Sequence, residues 1–391
     1  MNMNSNNHNG WMLGVIRDTG MNGVTAGVFA LARHARPAAA PLRGSGGPLM
    51  HGLRPAEFLA VSLVTLLLAS GTASVSHARD DGVWRVQNRL LGKNGEKSEN
   101  VSGIACSAPE GFPRTCIAID DERQAGQLVT VDDGELTAGN SVPLIDNEHR
   151  GKALEFDGEG VAFAEGFFYV IGSHGHPRDK KKKLKPGRDD AEINAKIKAS
   201  SQIVRFRLGA GNAVTNLERT VKLRDALANE PALRPFLDRR LENNGVTIEG
   251  IAIRRGRLLA GLRGPTLDDG HAAILSVSLG ALFANDSAQT TLHRLRLGDG
   301  QGVRDLAPYG NGILLLSGPS ADGPGRYAVH WWDGEGPGVH LLKELSAVVA
   351  DPEHKPEAIL PLDRGPSGLR ILILFDGAKE GGPIVLDIPE P

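Results

Sequence analysis

Glu249-Gly-Ile-Ala252, followed after a turn by Leu258-Leu-Ala-Gly-Leu-Arg263, is the stretch that decides the fold. A short motif, a turn, then an apolar run ending in a small or polar cluster reads as two strands joined by a hairpin. The motif recurs as Ser102-Gly-Ile-Ala105, Glu159-Gly-Val-Ala162, Arg304-Asp-Leu-Ala307 and Glu357-Ala-Ile-Leu360. The matching apolar runs are Cys116-Ile-Ala-Ile-Asp120, Phe168-Tyr-Val-Ile-Gly-Ser-His174, Leu314-Leu-Leu-Ser317 and Ile371-Leu-Ile-Leu-Phe-Asp376. Further strands follow, among them Ile203-Val-Arg-Phe-Arg-Leu208, Ala273-Ile-Leu-Ser-Val-Ser278 and Tyr327-Ala-Val-His-Trp331. Units of roughly fifty residues, each of two to four short strands, predict an all-β chain folded as a single β-propeller. Five blades are expected, with six as the alternative if an insertion hides a degenerate one. A β-sandwich would not generate the fivefold motif.

The last unit lacks an outer strand after Pro383-Ile-Val-Leu-Asp387, and Val83-Trp-Arg-Val-Gln-Asn-Arg-Leu90 has no unit of its own. Pairing the two closes the ring and removes free sheet edges. The propeller domain is therefore 79–391. Two insertions, about 176–200 and 224–245, are expected on the face that carries the strand ends discussed below. Within them Ala191–Lys198 and the stretch from Leu223 to Leu241 read as short helices, either lids or rim packing.

Composition agrees. In 391 residues Gly 50 and Pro 23 make about 19%, above the ~12% of an average chain, as many tight turns require. Lys+Arg 44 against Asp+Glu 46 gives a net charge of -2, which argues against a nucleic-acid binder driven by phosphate contacts. Aromatic residues are 5%, so no sugar-stacking platform is indicated. Nothing in the composition sets the oligomeric state.

Residues 1–49, rich in Asn, Gly, Ala and Pro, read as disordered or untranslated, with Met1 and Met50 both possible starts. Residues 50–78 read as a signal peptide: a short basic start, the apolar run Leu59–Ala69, and the small-x-small exit Ser76-His77-Ala78. The alternative is a membrane anchor, but the run falls short of the ~20 residues a spanning helix needs. A mature chain beginning near Arg79 is expected in the periplasm or outside the cell, not spanning the membrane. In that compartment Cys106 and Cys116, on adjacent strands, are expected to form a disulfide that staples the hairpin.

In an antiparallel hairpin the start of one strand and the end of the next lie together. The repeat therefore brings two rings to one mouth of the channel. The inner ring is Ser102, Glu159, Glu249, Arg304 and Glu357; the second is Asp120 and Asp121, Ser173 and His174, Arg263, Ser317, and Asp376. Three ring glutamates would repel one another unless compensated. Either a hard divalent cation such as calcium is held by Glu159, Glu249 and Glu357 with Asp120, Asp305 or Asp376 completing the shell, or Arg304 pairs with the glutamates directly. His174 and His176 have a spacing that could share a metal, but with no third ligand evident a solvated loop accounts for them. A triad of Ser173 or Ser317 with His174 and Asp376 lacks a nucleophile elbow. Arg178-Asp-Lys-Lys-Lys-Lys-Leu-Lys185 reads as a solvated loop, or as a flap drawing an anion toward Arg263.

Val101-Ser-Gly-Ile-Ala-Cys106, Asp157-Gly-Glu-Gly-Val-Ala162, Tyr169-Val-Ile-Gly-Ser-His174, Ile248-Glu-Gly-Ile-Ala252, Leu258–Pro265 and Val303-Arg-Asp-Leu-Ala307 together resemble an uncharacterised bacterial family, domain of unknown function 3616. The resemblance runs from about Gly92 to Pro389 and implies a propeller-like fold, with no activity to carry over. More distantly, the Glu-Gly-hydrophobic-Ala motif is similar to esterase-like phytase and gluconolactonase-type propellers. That similarity implies Glu159 and Glu249 as metal ligands, although Arg304 and Ser102 depart from an all-acidic ring. Two functions follow as expectations. In one, the mouth binds a small anionic or phosphorylated molecule, with Arg263, Arg304, Ser173, Ser317 and Asp376 around it. That version extends to ester hydrolysis, with Glu159 at a divalent cation and His174 moving protons. In the other, the ring is salt-bridged and the face binds a ligand or partner without catalysis.

Overall fold

The computed structural model describes residues 82–178, 184–349 and 351–391. The leader, the signal peptide and Lys180–Lys183 lie outside the described residues. The fold is the five-bladed propeller that the repeat announces. Blade one runs outward from the axis as Val101–Cys106, Arg114–Asp120, Ala125–Asp132 and Glu135–Pro143. Blade two is Gly158–Ala164, Phe167–Gly172, Ile203–Leu208 and Val214–Thr220. Blade three is Thr247–Arg254, Arg257–Gly264, Ala272–Ser278 and Thr290–Leu295. Blade four is Gln301–Tyr309, Gly312–Pro319, Ala328–Trp332 and Val339–Glu344, and blade five is Lys355–Gly365, Gly368–Asp376 and Ile384–Ile388. Tight hairpins set the pairing: Glu165-Gly166 and Arg255-Gly256 each place two consecutive residues at positive φ, the geometry that matches strand twist.

The N-terminal segment closes the ring as expected and does more. Val83 bridges Ile384 of blade five, and the Trp84 N–H donates to Pro383 O. The chain then continues as Arg85–Gln87, parallel to the outer strand of blade one. One segment thus ties the last blade to the first. The Cys106–Cys116 disulfide joins directly paired residues of blade one's first hairpin.

The recurring motif has a physical reason. In every blade the first hairpin breaks register at the ring residue, so Ser102, Glu159, Glu249, Arg304 and Glu357 each sit on a β-bulge. A bulge adds an unpaired residue and re-aims its side chain, which is how one motif produces a ring. The next residue is where neighbouring inner strands touch backbone to backbone. A Cβ on Gly103 would stand 3.2 Å from Gly160 Cα, one on Gly160 3.0 Å from Ile251 N, and one on Gly250 only 2.5 Å from Asp305 Cα. Asp305 ends this run of glycines, and its carboxylate accepts the N–H of Leu306 and of Ile359 in blade five, each at 2.8 Å. Hydrogen bonds replace close contact there.

The core is five apolar clusters, one between each pair of adjacent blades. The cluster between blades two and three also takes Leu223, Leu227, Leu233 and Phe236 from the second insertion, so that insertion is packed structure. The insertions form helices Asp190–Ser200 and Lys222–Asn229 and short turns, not a sixth blade. Among the described residues no helix is long and apolar enough to cross a membrane.

Candidate functional site

The five bulges open onto a cavity of about 550 Å³ at one mouth of the channel. Its rim is stitched by backbone bonds that run from blade to blade. Asp157 N–H donates to Asp121 O, Ser173 N–H to Asp157 O, and Ile248 N–H to Ser173 O, at 2.8–3.0 Å. Gly377 N–H donates to Glu99 O at 2.7 Å, joining blade five to blade one. Asp157 and His174 hold left-handed backbone (φ 54 and 55) to make these turns.

Of the residues expected at the mouth, Ser102, Glu159, Glu249, Glu357, Asp121, Arg263 and Asp376 line the cavity. Arg304 lies just behind the wall, 1% exposed. Its Nε stands 2.9 Å from Glu249 Oε2, and it forms a two-nitrogen pair with Glu357. Arg263 Nη1 donates to the other Glu249 oxygen at 2.9 Å, and its Nη2 reaches Asp322 at 2.9 Å and Ala321 O at 3.2 Å. Burial alone would raise the Glu249 carboxyl, but the guanidinia of Arg263 and Arg304 outweigh it and hold it low. On blades three to five the ring carboxylates Glu249 and Glu357 are thus each paired with a guanidinium.

On the opposite wall, from blades one and two, a ring carboxylate is left unpaired. Glu159 is 5% exposed, faces the cavity, and has no hydrogen-bond or ion-pair partner among the described residues. Burial, then the charges of Glu249, Asp157 and Asp121, push its carboxyl well above the usual range. Asp121 is raised by burial and then by like charges, that of Asp157 most, and its buried Oδ1 has no partner among the described residues. Asp157 is raised by burial, partly offset by Arg178 and by the hydroxyl of Ser173.

The remaining expected residues stand away from the cavity. His174 is fully buried, its Nδ1 2.9 Å from Gly172 O, and burial lowers it to about 4. Ser173 is held by Asp157, and Ser317 by His330 Nε2 at 2.9 Å. Asp120 accepts from Ser98 Oγ at 2.6 Å and from Glu122 N–H at 3.1 Å, and it faces a small apolar pocket behind blade one. Asp305 is occupied by backbone, as above. Hairpin ends alternate inward and sideways, so reaching the mouth end of a strand did not place these side chains in the opening. In their place are Asp157, Arg178, Lys196, Asp322 and Lys355, the last 3.0 Å from Asp376. Asp157 stands two residues before Glu159, in the left-handed turn that leads into the strand, and lines the same cavity. Asp322 lies in a loop with no periodic signal, and Arg178 was read only as part of its basic run.

Four of the donors expected for a divalent cation are already engaged. Glu249 and Glu357 are engaged by guanidinia, Asp305 by two N–H groups and Asp120 by Ser98. Among the described residues no three His, Cys, Asp or Glu side chains come together as a metal ion requires.

No curated protein matches the chain. Solved structures that are similar include a Lactobacillus plantarum protein, 13% identical over 79% of this chain and 81% of that one, TM-score 0.31. A putative 6-phosphogluconolactonase from Bacteroides uniformis is 12% identical over 74% and 71%, TM-score 0.31. A GH43 endo-arabinanase from Bacillus licheniformis is 9% identical over 78% and 95%, TM-score 0.34. Likeness at this level carries no argument about chemistry. The family model described as "Protein of unknown function (DUF3616)" matches residues 114–216 and 208–381, and the chain belongs to that family.

Proposed function

We propose that this protein is a non-catalytic binding propeller whose channel mouth holds a small, positively charged molecule. The observation that carries the reading is Glu159, a buried carboxylate aimed into the cavity with no partner. Burial and its like-charged neighbours disfavour the ionised form of this carboxyl, with Arg178 only partly offsetting them, and a bound cation would favour it. The whole lining has the same sign: ten carboxylate side chains against five cationic ones. The sequence pointed to an anion at Arg263 and Arg304, but both guanidinia are already matched by carboxylates, and an anion would have to displace them. Among the described residues no serine–histidine or cysteine–histidine pair lines the cavity.

The apolar run at 59–69, the exit at Ser76–Ala78 and the disulfide support export, so the ligand would be met in the periplasm or outside the cell. N-terminal mass spectrometry of the protein made in a secreting host should give a mature start near Arg79. Retention of residues 50–78 would refute export by a cleaved signal. Thermal unfolding against a panel of organic cations and of phosphate and carboxylate anions tests the binding reading. Stabilisation by cations alone is expected, and stabilisation by anions alone would overturn it.

A further inference from the structure

The site's ligand class can be narrowed, an inference that rests on the cation reading above. We infer that the mouth takes an aliphatic amine carrying at least two ammonium groups, the chemistry of a di- or polyamine. Three observations lead there. First, the unmatched acceptors are separate oxygens, those of Glu159 and the buried Oδ1 of Asp121, not a cluster that could wrap one metal ion. A primary ammonium offers three N–H donors that can address such oxygens one at a time. Second, among the described residues no aromatic ring lines the cavity, whereas a quaternary ammonium is recognised chiefly through aromatic faces. Asn100, Ser102 and Ser200 in the wall instead suit a ligand that donates and accepts hydrogen bonds. Third, among the described residues ten carboxylate side chains line the cavity against five cationic ones, with Arg304 a sixth behind the wall, so a single ammonium would leave carboxylates without a counter-charge. The volume of about 550 Å³ is that of a site for a small molecule.

Titration calorimetry on the whole protein at pH 7.5 tests this with five probes: butane-1,4-diamine, its hexamethylated bis-quaternary counterpart, butylamine, calcium and inorganic phosphate. The diamine should bind at least tenfold more tightly than any other probe, and Glu159→Gln should weaken it at least tenfold while the variant still unfolds cooperatively. Should that variant fail to fold, Asp121→Asn carries the same expectation. Equal binding of the bis-quaternary compound, of butylamine or of calcium overturns the diamine class but leaves the cation reading standing. Binding of phosphate alone overturns both, and absence of binding by every amine overturns this inference.

Discussion

Replacing Arg304 by methionine removes the counter-charge of the ring while nearly conserving volume. Arg304 is 1% exposed, and it faces Glu249 and Glu357, themselves 2% and 6% exposed. Without it Glu357 loses the only cation paired with it among the described residues, while Glu249 keeps Arg263. Removing one member of a buried pair typically costs about 3–5 kcal/mol, because a charge is left uncompensated. Unfolding entropy scales with chain length, so for about 300 residues roughly 1 kcal/mol moves the midpoint by 1.5–2 °C. The expected loss is therefore about 5–8 °C, read by scanning calorimetry at pH 7.5. The double variant Arg304→Met with Glu357→Gln removes both charges and should recover at least half of that loss. An Arg304→Met protein as stable as the parent, or a double variant no better than the single, would refute the claim that Arg304 balances the ring.

Three further outcomes follow from the same geometry. Gly250→Ala places a Cβ 2.5 Å from Asp305 Cα, backbone that cannot move aside, and should cost about 3 kcal/mol or more, against a smaller loss for Gly103→Ala; denaturant unfolding of the two measures it. Asp120, pushed up to about 6 by burial despite the Ser98 and Glu122 hydrogen bonds, adds stability that is fully present below pH 4 and is lost as pH rises through 6. The swing is about 3 kcal/mol, and Asp120→Asn should flatten that part of a stability-against-pH curve. Glu159 is raised in the same direction, so Glu159→Gln should raise the melting temperature at pH 8 and have a vanishing effect about two pH units below the ordinary Glu pKa, where the carboxyl is neutral in both states.

The blade count was legible because each unit carries a bulge and a close backbone approach at the same two positions, and those demand a repeated residue pattern. Arg304 could be placed in the ring for that reason, and its position alone suggested a salt bridge. The side chains at the ends of the second strands were not legible in the same way. His174 and Ser317 reach the correct end of their strands but pack sideways between blades, a rotation set by tertiary packing that no spacing encodes. Charge balance was equally hidden. Arg263 meets Asp322 from a loop of the next blade, so its availability to a ligand depended on a contact between segments 59 residues apart.

The most direct measurement is a crystal structure of the protein soaked with butane-1,4-diamine near pH 7.5. The account predicts an ammonium nitrogen within hydrogen-bond distance of Glu159 and Asp121, with the Arg263–Glu249–Arg304–Glu357 network intact. An anion on Arg263 with that network broken, or a cavity holding only water beside Glu159, would contradict it.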